Sequence, residues 1–153
     1  MPILAINKRA SFDYEFLEKY EAGIVLTGAE VKSAKSGQVN LKGSYISFGN
    51  VAHGMPEAQL IHTHISPYKY AGNRDDYDPI RPRKLLLNKK EIQTLIGKEQ
   101  EKGLTIVPIK IYTKGSLIKL EFAVAKGKKN YDKREDKKNK DIERDVQREL
   151  KEH

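Results

Sequence analysis

The chain has 153 residues, the length of one domain, and can bury roughly two thirds of the surface that it exposes when unfolded. Its 29 Lys and Arg residues outnumber its 21 Asp and Glu residues, and the resulting net charge of +8 favours anionic partners. The absence of Cys excludes disulfide bonds, thiolate metal sites and a cysteine nucleophile, and fits a cytoplasmic location. No apolar stretch approaches the roughly 18 residues of a membrane span, so we expect no membrane association.

Alternation of apolar and polar residues predicts short antiparallel strands through most of the chain. A turn at residues 21–23 is expected to separate the first two strands, and residues 113–116 are expected to close a hairpin between the last two. Pro108 has no N–H to donate to a neighbouring strand, which predicts an edge position or a bulge. Residues 49–56 show no clear strand pattern. The predicted strands are residues 12–16, 22–26, 45–48, 60–65, 105–112 and 117–125.

Two segments carry the start signals of helices. Thr27 with Glu30, and Asn88 with Glu91, have the spacing of a capping box, in which each side chain bonds the backbone N–H of the other residue. Residues 66–83 are rich in Pro, Gly, Asn and Asp, which predicts an irregular surface loop. The pattern as a whole predicts a mostly β fold, namely a small antiparallel barrel with flanking helices and a basic C-terminal tail.

The last 28 residues differ in composition from the rest, because 11 of them are basic and 8 are acidic. Their few apolar side chains cannot offset the entropy of ordering the segment by itself. We therefore expect residues 1–125 to form the folded domain and residues 126–153 to form a tail that is disordered when free. Ile142, Val146 and Leu150 recur every four positions, so a bound helical tail would present one apolar stripe. A solubilising charged tail with incidental spacing is the alternative.

The common motifs of catalytic and phosphate-binding sites do not occur in this sequence. It has no P-loop, no dinucleotide-binding fingerprint and no nucleophile elbow. His62 and His64 are predicted to lie on one face of a strand, at a spacing that suits a metal ion, but no obvious third ligand accompanies them. The acidic run at residues 75–78 lacks the ligand spacing of an EF-hand. We expect neither catalysis, nor a cofactor, nor a metal site.

Basic and aromatic residues are interleaved from residue 68 to residue 90. Cations can neutralise phosphates and tyrosine rings can stack on unpaired bases, a combination typical of RNA-binding surfaces. A generic solvated basic face is the alternative. A second cluster, at residues 125–134, combines glycine, five cations and Tyr131. The first cluster comprises Tyr68, Tyr70, Arg74, Tyr77, Arg81, Arg83, Lys84, Lys89 and Lys90.

Seven motifs, in order along nearly the whole chain, carry a resemblance to a known family. They are YEAGIVLTGAEVKS at residues 20–33, HISPY at 64–68, GNR at 72–74, RKLLLN at 83–88, KGLT at 102–105, AKGKK at 125–129 and DKR at 132–134. With these motifs the chain resembles the small protein B family, the SsrA-binding proteins of bacterial trans-translation. The resemblance implies an oligonucleotide-binding-type barrel that binds transfer-messenger RNA and takes it to stalled ribosomes.

The resemblance also implies a division of labour between the two parts of the chain. The body would hold the tRNA-like domain of transfer-messenger RNA. The tail would probe the empty decoding site and the mRNA channel of the small ribosomal subunit, in contact with its rRNA. Elongation factor Tu on the charged RNA would be a neighbouring partner. A structural ribosomal protein with an rRNA-threading tail is the alternative function.

Three sets of site residues are expected. Glu30, Leu86 and Asn88 match RNA-binding positions of the family, although Glu30 and Asn88 also fit as helix caps and Leu86 as a core residue. The RNA-binding set is Tyr20, Glu30, Lys32, Arg74, Arg83, Lys84, Leu86, Asn88 and Lys89. The decoding-site set is Gly127, Lys128, Lys129, Tyr131, Asp132, Lys133 and Arg134, and the mRNA-channel set is Ile142, Val146 and Leu150.

Overall fold

The computed structural model describes residues 2–52, 54–70 and 76–128, together with seven residues of the C-terminal tail. Within this part the chain is mostly antiparallel β-sheet with flanking helices, which confirms the predicted fold class. The elements are β1 Ile3–Ile6, α1 Ala10–Asp13, β2 Tyr14–Ile24, α2 Gly28–Lys35, β3 Val39–Asn40, β4 Tyr45–Ala52, β5 Met55–Ile61, β6 His64–Ile65, β7 Arg83–Leu86, α3 Lys89–Gln100, β8 Leu104–Lys114 and β9 Leu117–Gly127.

Seven of the strands form one sheet in the order β1-β8-β9-β2-β7-β5-β4, while β3 and β6 pair with each other. The predicted hairpin of β8 and β9 is confirmed, and β2 pairs with β9 along most of its length. β7 joins this half of the sheet to the β4–β5 hairpin, and the sheet curls so that β4 lies against β8. Both halves contribute to one core, which includes Ala22, Leu60, Leu85, Ile106, Leu120 and Phe122.

The turn predicted at residues 21–23 is wrong, because β2 runs unbroken from Tyr14 to Ile24. Gly23 faces Leu86 of β7 on one side and Lys119 of β9 on the other, so strand pairing on both sides holds its backbone extended. Phe12, predicted to lie in the first strand, lies in α1. Tertiary pairing has overridden a local turn signal.

Residues 49–56, where no strand was expected, complete the β4–β5 hairpin. β4 continues to Ala52, and β5 begins at Met55 after Gly54, whose φ of 77° suits a glycine at a tight turn. The pairing register shifts between Gly49 and Ala52, and this irregularity disrupts the alternation that identifies a strand in a sequence.

The strand predicted for residues 60–65 is interrupted at His62. This residue has a φ of 64°, in the left-handed region, so β5 ends at Ile61 and β6 begins at His64. The His62 ring stacks on Tyr45 with the ring centroids 5.4 Å apart. The two imidazoles therefore do not share one face of a continuous strand, and the described residues contain no cluster of three metal-ligating side chains.

Pro108 and β7 are two further points at which the structure can be compared with the sequence. Pro108 lies at a register shift in β8, a strand paired on both sides, so the predicted bulge is confirmed and the edge position is not. β7 was not predicted because four residues at the end of a long loop are too few to show a periodic pattern. None of the described helices is long and apolar enough to cross a membrane.

Candidate RNA-binding surface

Glu30 occupies the third position of α2, where it forms the predicted capping box with Thr27. The Glu30 N–H donates to the Thr27 hydroxyl at 3.2 Å, and the Thr27 N–H donates to Glu30 Oε1 at 3.0 Å. The carboxylate points into the molecule and the residue is only 1% exposed. Glu30 is therefore a helix cap whose side chain does not reach the surface.

Two arginines bind this buried carboxylate from the opposite side. Arg83 is fully buried and donates to Glu30 Oε2 from Nε at 2.9 Å and from Nη2 at 2.6 Å. Its Nη1 donates to the Thr63 carbonyl oxygen at 2.5 Å. Arg81, which is partly exposed, donates from Nε to Glu30 Oε2 at 3.2 Å and from Nη2 to Glu30 Oε1.

Tyr77 completes the cluster, which we call the Glu30 network: Glu30, Tyr77, Arg81 and Arg83. The Tyr77 hydroxyl lies 2.8 Å from the Ile65 carbonyl oxygen and 3.1 Å from Glu30 Oε2, and it accepts a bond from Arg83 Nη2 at 3.0 Å. Sequence patterns do not reveal this network, because Tyr77, Arg81 and Arg83 lie 47 to 53 residues from Glu30 in the chain.

The Glu30 network keeps the carboxyl group of Glu30 ionised. Burial alone would raise the pKa of Glu30, but hydrogen bonds from Arg81, from the Thr27 N–H and from Arg83 lower this pKa to about 2. Burial, together with the neighbouring Glu30 charge, raises the pKa of Tyr77, so its hydroxyl keeps its proton and can donate. Removing one partner of such a buried pair leaves an uncompensated charge, at a cost of about 3–5 kcal/mol.

Arg83 and Glu30 both belong to the predicted RNA-binding set, and the structure places both in the interior. An RNA at the surface cannot touch either side chain while the body stays folded in this way. Arg83 lies inside because it faces the same side of β7 as buried Leu85, whereas Lys84 and Leu86 point outward. Any effect of Glu30 and Arg83 on RNA passes through the elements that they hold together.

The outward-facing members of the set lie together where β7 leads into α3, and we call this the β7–α3 surface: Lys84, Leu86, Asn88 and Lys89. Leu86 is 57% exposed, so its interpretation as a core residue is wrong. The Leu86 side chain packs closely over Gly23 of β2. A Cβ atom added to Gly23 would lie 3.3 Å from Leu86 Cδ1. A groove of about 600 Å³ runs beside Leu86, lined mainly by Met55, Pro56, Ala58, Leu87, Lys89 and Ile92.

Asn88 caps α3 from an exposed position. Its Oδ1 accepts a hydrogen bond from the Glu91 N–H at 2.8 Å, and Glu91 Oε1 accepts one from the Asn88 N–H at 3.3 Å. The predicted capping box is confirmed, and unlike the box at α2 it is open to solvent. Lys89, the first residue of α3, is exposed beside it.

Tyr20, another member of the predicted set, packs against the core more than it faces solvent. Its ring stacks on Phe122 with the centroids 5.7 Å apart, and its hydroxyl donates to Glu18 Oε2 at 2.7 Å. That hydrogen bond and burial raise the pKa of Tyr20 to about 12.

A second surface joins α2 to the segment that follows β6, and we call it the tyrosine platform: Lys32, Tyr68, Lys69 and Tyr70. The Lys32 Nζ lies 5.4 Å from the centroid of the Tyr68 ring, and the Tyr70 ring meets Tyr68 edge-on at 5.6 Å. The Lys69 Nζ lies 5.6 Å from the Tyr70 centroid. Of the three tyrosines in the predicted cluster, Tyr68 and Tyr70 are in this platform, whereas Tyr77 is in the Glu30 network.

The folded body extends three residues beyond the predicted boundary at residue 125. Gly127 is the last residue of β9 and pairs with Tyr14. The Lys128 N–H donates to the Asp13 carbonyl oxygen at 2.9 Å, and Lys128 Nζ donates to the Ser11 carbonyl oxygen at 3.0 Å. Two of the predicted decoding-site residues are therefore anchored to the body.

The described residues of the tail have helical backbone and exposed side chains, and Ile142 among them is 52% exposed. They are Arg134, Lys137, Lys138, Lys140, Asp141, Ile142 and Arg144. The other predicted site residues lie outside the described part of the chain, namely Arg74, Lys129, Tyr131, Asp132, Lys133, Val146 and Leu150.

Exposed cations, tyrosine rings and an amide on a basic, mostly antiparallel β body are features typical of RNA-binding proteins. The family model described as "SmpB protein" matches residues 4–152. The chain therefore belongs to the SmpB protein family, which is a family of RNA-binding proteins.

Relatives and a solved structure agree with this assignment. The chain is 52% identical to the SsrA-binding protein of Shouchella clausii over 150 residues, covering 98% of this chain and 92% of that protein. It is 51% identical to the SsrA-binding protein of Carboxydothermus hydrogenoformans, covering 97% and 95%. A chain of the solved structure described as "tmRNA-SmpB: a journey to the center of the bacterial ribosome" is 44% identical, with a TM-score of 0.66 over 85% of this chain and 87% of that chain.

Proposed function

We propose that this protein binds the tRNA-like domain of transfer-messenger RNA, the SsrA RNA, and delivers it to stalled ribosomes for trans-translation without catalysing a reaction. The observation that carries the proposal is the β7–α3 surface. There the RKLLLN motif turns Lys84 and Leu86 outward and presents exposed Asn88 and Lys89 directly after them. The proposal places the protein in the cytoplasm, where it works beside elongation factor Tu on the charged RNA.

The chemistry of the β7–α3 surface suits a folded RNA. The ammonium groups of Lys84 and Lys89 neutralise phosphates, the Leu86 side chain packs on a sugar or a base, and the Asn88 amide can bond a base edge or a 2′-hydroxyl. Recognition of RNA by shape and by backbone contacts uses groups of these kinds. Lys84 Nζ also lies 3.4 Å from Glu57 Oε1, in a partly exposed ion pair that leaves the ammonium group accessible.

The tail is proposed to act on the ribosome. Lys129, Tyr131, Asp132, Lys133 and Arg134 would meet the rRNA of the vacant decoding site, where cations bind phosphates and the tyrosine stacks on an exposed base. The helical backbone of the described tail residues supports a helix whose apolar stripe of Ile142, Val146 and Leu150 lies in the mRNA channel.

The affinity of the full-length protein for a transcript of the tRNA-like domain tests the binding proposal. We expect preference for this transcript over an unrelated hairpin, and a decrease of affinity with salt of about 0.7 to 0.9 in the log–log slope per phosphate contacted. Leu86→Ala should weaken binding with little change in Tm, because the side chain is largely exposed. The neighbouring Leu85→Ala is the matched control and should cost about 2–5 kcal/mol of stability, because Leu85 is buried.

Equal affinity for both RNAs, or an affinity independent of salt, would contradict the binding proposal. Purification of the protein with every ribosome, rather than with transfer-messenger RNA and stalled ribosomes, would instead support a structural ribosomal protein.

A further inference from the structure

Gly23 lies in the interior of β2, where glycine is an unfavourable residue. Its two strand partners are Leu86 of β7 and Lys119 of β9, so its backbone is held in the sheet on both sides. Glycine loses more entropy than alanine at such a position and adds no side chain to the sheet. Gly23 is not among the described glycines with a positive φ, so the conformation of its backbone does not require glycine. A glycine here therefore points to a requirement for space.

The space above Gly23 is occupied by Leu86. A Cβ added to Gly23 would lie 3.3 Å from Leu86 Cδ1, 3.6 Å from Leu86 Cβ and 3.8 Å from Leu86 Cγ. The first distance is shorter than the roughly 3.5–4.0 Å at which two carbon atoms attract each other best. At each of the other glycines that the structure describes, an added Cβ would meet no atom within 4 Å. The close approach is thus particular to this pair.

Leu86 is an exposed leucine that is supported by the backbone of β2. Its side chain is 57% exposed, packs over Gly23 and also borders the largely apolar groove of about 600 Å³. An exposed leucine without such support would exchange among several rotamers. Holding one orientation before a partner arrives lowers the entropy that is lost on binding. The bare backbone at Gly23 therefore helps to pre-organise the Leu86 side chain.

We propose that Gly23 is a positioning residue for RNA binding, because the absence of a side chain there lets Leu86 lie over β2 and present its outer side to the RNA. Gly23 does not contact the RNA itself. A methyl group at this position would turn the Leu86 side chain away from β2 and change the shape of the β7–α3 surface. The strands would stay in place, because Leu86 Cδ1 is the free end of a flexible, exposed side chain. The inference adds a residue outside the predicted RNA-binding set and rests on the proposed function.

The first test is a double-mutant cycle of Gly23→Ala and Leu86→Ala in the full-length protein, with a transcript of the tRNA-like domain as the probe. Gly23→Ala should weaken binding about fourfold, the value of one buried methyl group. Its Tm should stay the same or increase, because alanine suits a strand interior better than glycine. In the Leu86→Ala background, Gly23→Ala should leave the affinity unchanged, because the side chain through which it acts is gone.

Methyl NMR of the free protein provides a second, direct measurement. With isotope-labelled leucine methyl groups, Gly23→Ala should shift the signals of Leu86, because the side chain takes a different rotamer. The signals of Leu60 and Leu95, which are fully buried, should remain in place. A general disturbance of the fold would instead move these core signals as well.

Gly97→Ala is the matched control for the exchange of glycine for alanine. Gly97 is an exposed residue of α3, and an added Cβ there would meet no atom within 4 Å. The control should raise Tm slightly, because alanine favours a helix, and should leave the affinity for RNA unchanged.

Equal losses of affinity from Gly23→Ala in both backgrounds would mean that the added methyl group obstructs the RNA directly, and would overturn the positioning role. Wild-type affinity of Gly23→Ala, a decrease of its Tm, or unshifted Leu86 signals would overturn it as well. Failure of the wild-type protein to prefer the transcript would overturn the proposed function instead, so the two failures are distinguishable.

Discussion

The carboxylate of Glu30 is bonded by two arginines, one tyrosine and one backbone N–H, although only 1% of the residue is exposed. At the scale of single residues, burial separates the positions that shape the protein from those that can touch a partner. Glu30 and Arg83 belong to the first kind, and Leu86 and Asn88 to the second. Charge and residue type do not make this distinction, because Arg83 and Lys84 are adjacent cations with opposite orientation.

The lowered pKa of Glu30 predicts how stability depends on pH. The pKa is about 2 in the folded protein against an ordinary value of 4.5, so the folded state binds a proton less readily than the unfolded chain. The contribution of Glu30 is therefore complete above pH 4.5 and is lost as the pH falls towards 2. We expect Glu30→Gln to lower Tm at pH 7, and we expect the difference in Tm from the wild type to shrink between pH 5 and pH 2.

Thermal melts of both proteins from pH 7 to pH 2 measure this difference. A gap that stays constant down to pH 2 would mean that the ionised carboxylate does not stabilise the fold.

At the scale of elements, α2 and α3 begin with the same capping box but use it differently. The box of α2 is continuous with the buried Glu30 network, so it ties the helix to β6 and β7. The box of α3 lies near the surface and caps its own helix, next to the cations of the β7–α3 surface. Substitutions at Asn88 can therefore separate helix capping from contact with RNA.

We expect Asn88→Asp to keep the stability of the protein and to weaken RNA binding. Asp caps helices as well as Asn does, but its negative charge repels phosphate. Asn88→Ser is the neutral control that keeps a capping oxygen, whereas Asn88→Ala should lose about 0.5–2 kcal/mol of stability. Chemical denaturation and RNA affinity of the three variants distinguish the roles. Wild-type affinity of Asn88→Asp would show that Asn88 lies away from the RNA.

At the scale of the whole molecule, the end of β9 connects the folded body, which we propose binds the RNA, to the tail. Lys128 is the last body residue described, and its backbone and side chain both bond carbonyl oxygens in or beside α1. The tail therefore leaves the body from a fixed point. Under the proposed function, this fixed point would let the body hold an RNA while the tail reaches a separate site.

Truncation after Lys128 should leave both the fold and the RNA affinity intact and should abolish tagging of stalled nascent chains. Truncation after Ala125 removes the last pairs of β9 with β2, so it should also lower Tm. The measurements are Tm, affinity for the tRNA-like transcript, and tagging in a reconstituted translation system. Loss of RNA affinity in the longer truncated protein would contradict the division between body and tail.

Ile142→Pro tests the proposed helix in the full-length protein. Proline in a helix removes a hydrogen bond and costs about 3 kcal/mol, so tagging should be lost while RNA affinity stays unchanged. Ile142→Ala preserves the helix but removes the large apolar side chain, so it tests the apolar contact separately from the helix. Normal tagging by the proline variant would show that the tail does not act as a helix.

Local signals in the sequence were sufficient for several parts of this fold. Both capping boxes, the β8–β9 hairpin and the bulge at Pro108 depend on residues that are close in the chain or on the missing N–H of proline. The mostly β class follows in the same way from alternation within short segments. The ordered motifs also sufficed to predict the family.

Only the tertiary structure decided which residues of the predicted site reach the surface. The turn predicted at residues 21–23 became part of β2 because two neighbouring strands pair with it, and His62 interrupts a segment whose alternation predicted one strand. Glu30 turned inward because Arg81 and Arg83, more than 50 residues away in the chain, balance its charge there. Sequence patterns describe local geometry, whereas burial and ion pairing depend on segments that meet only when the chain folds.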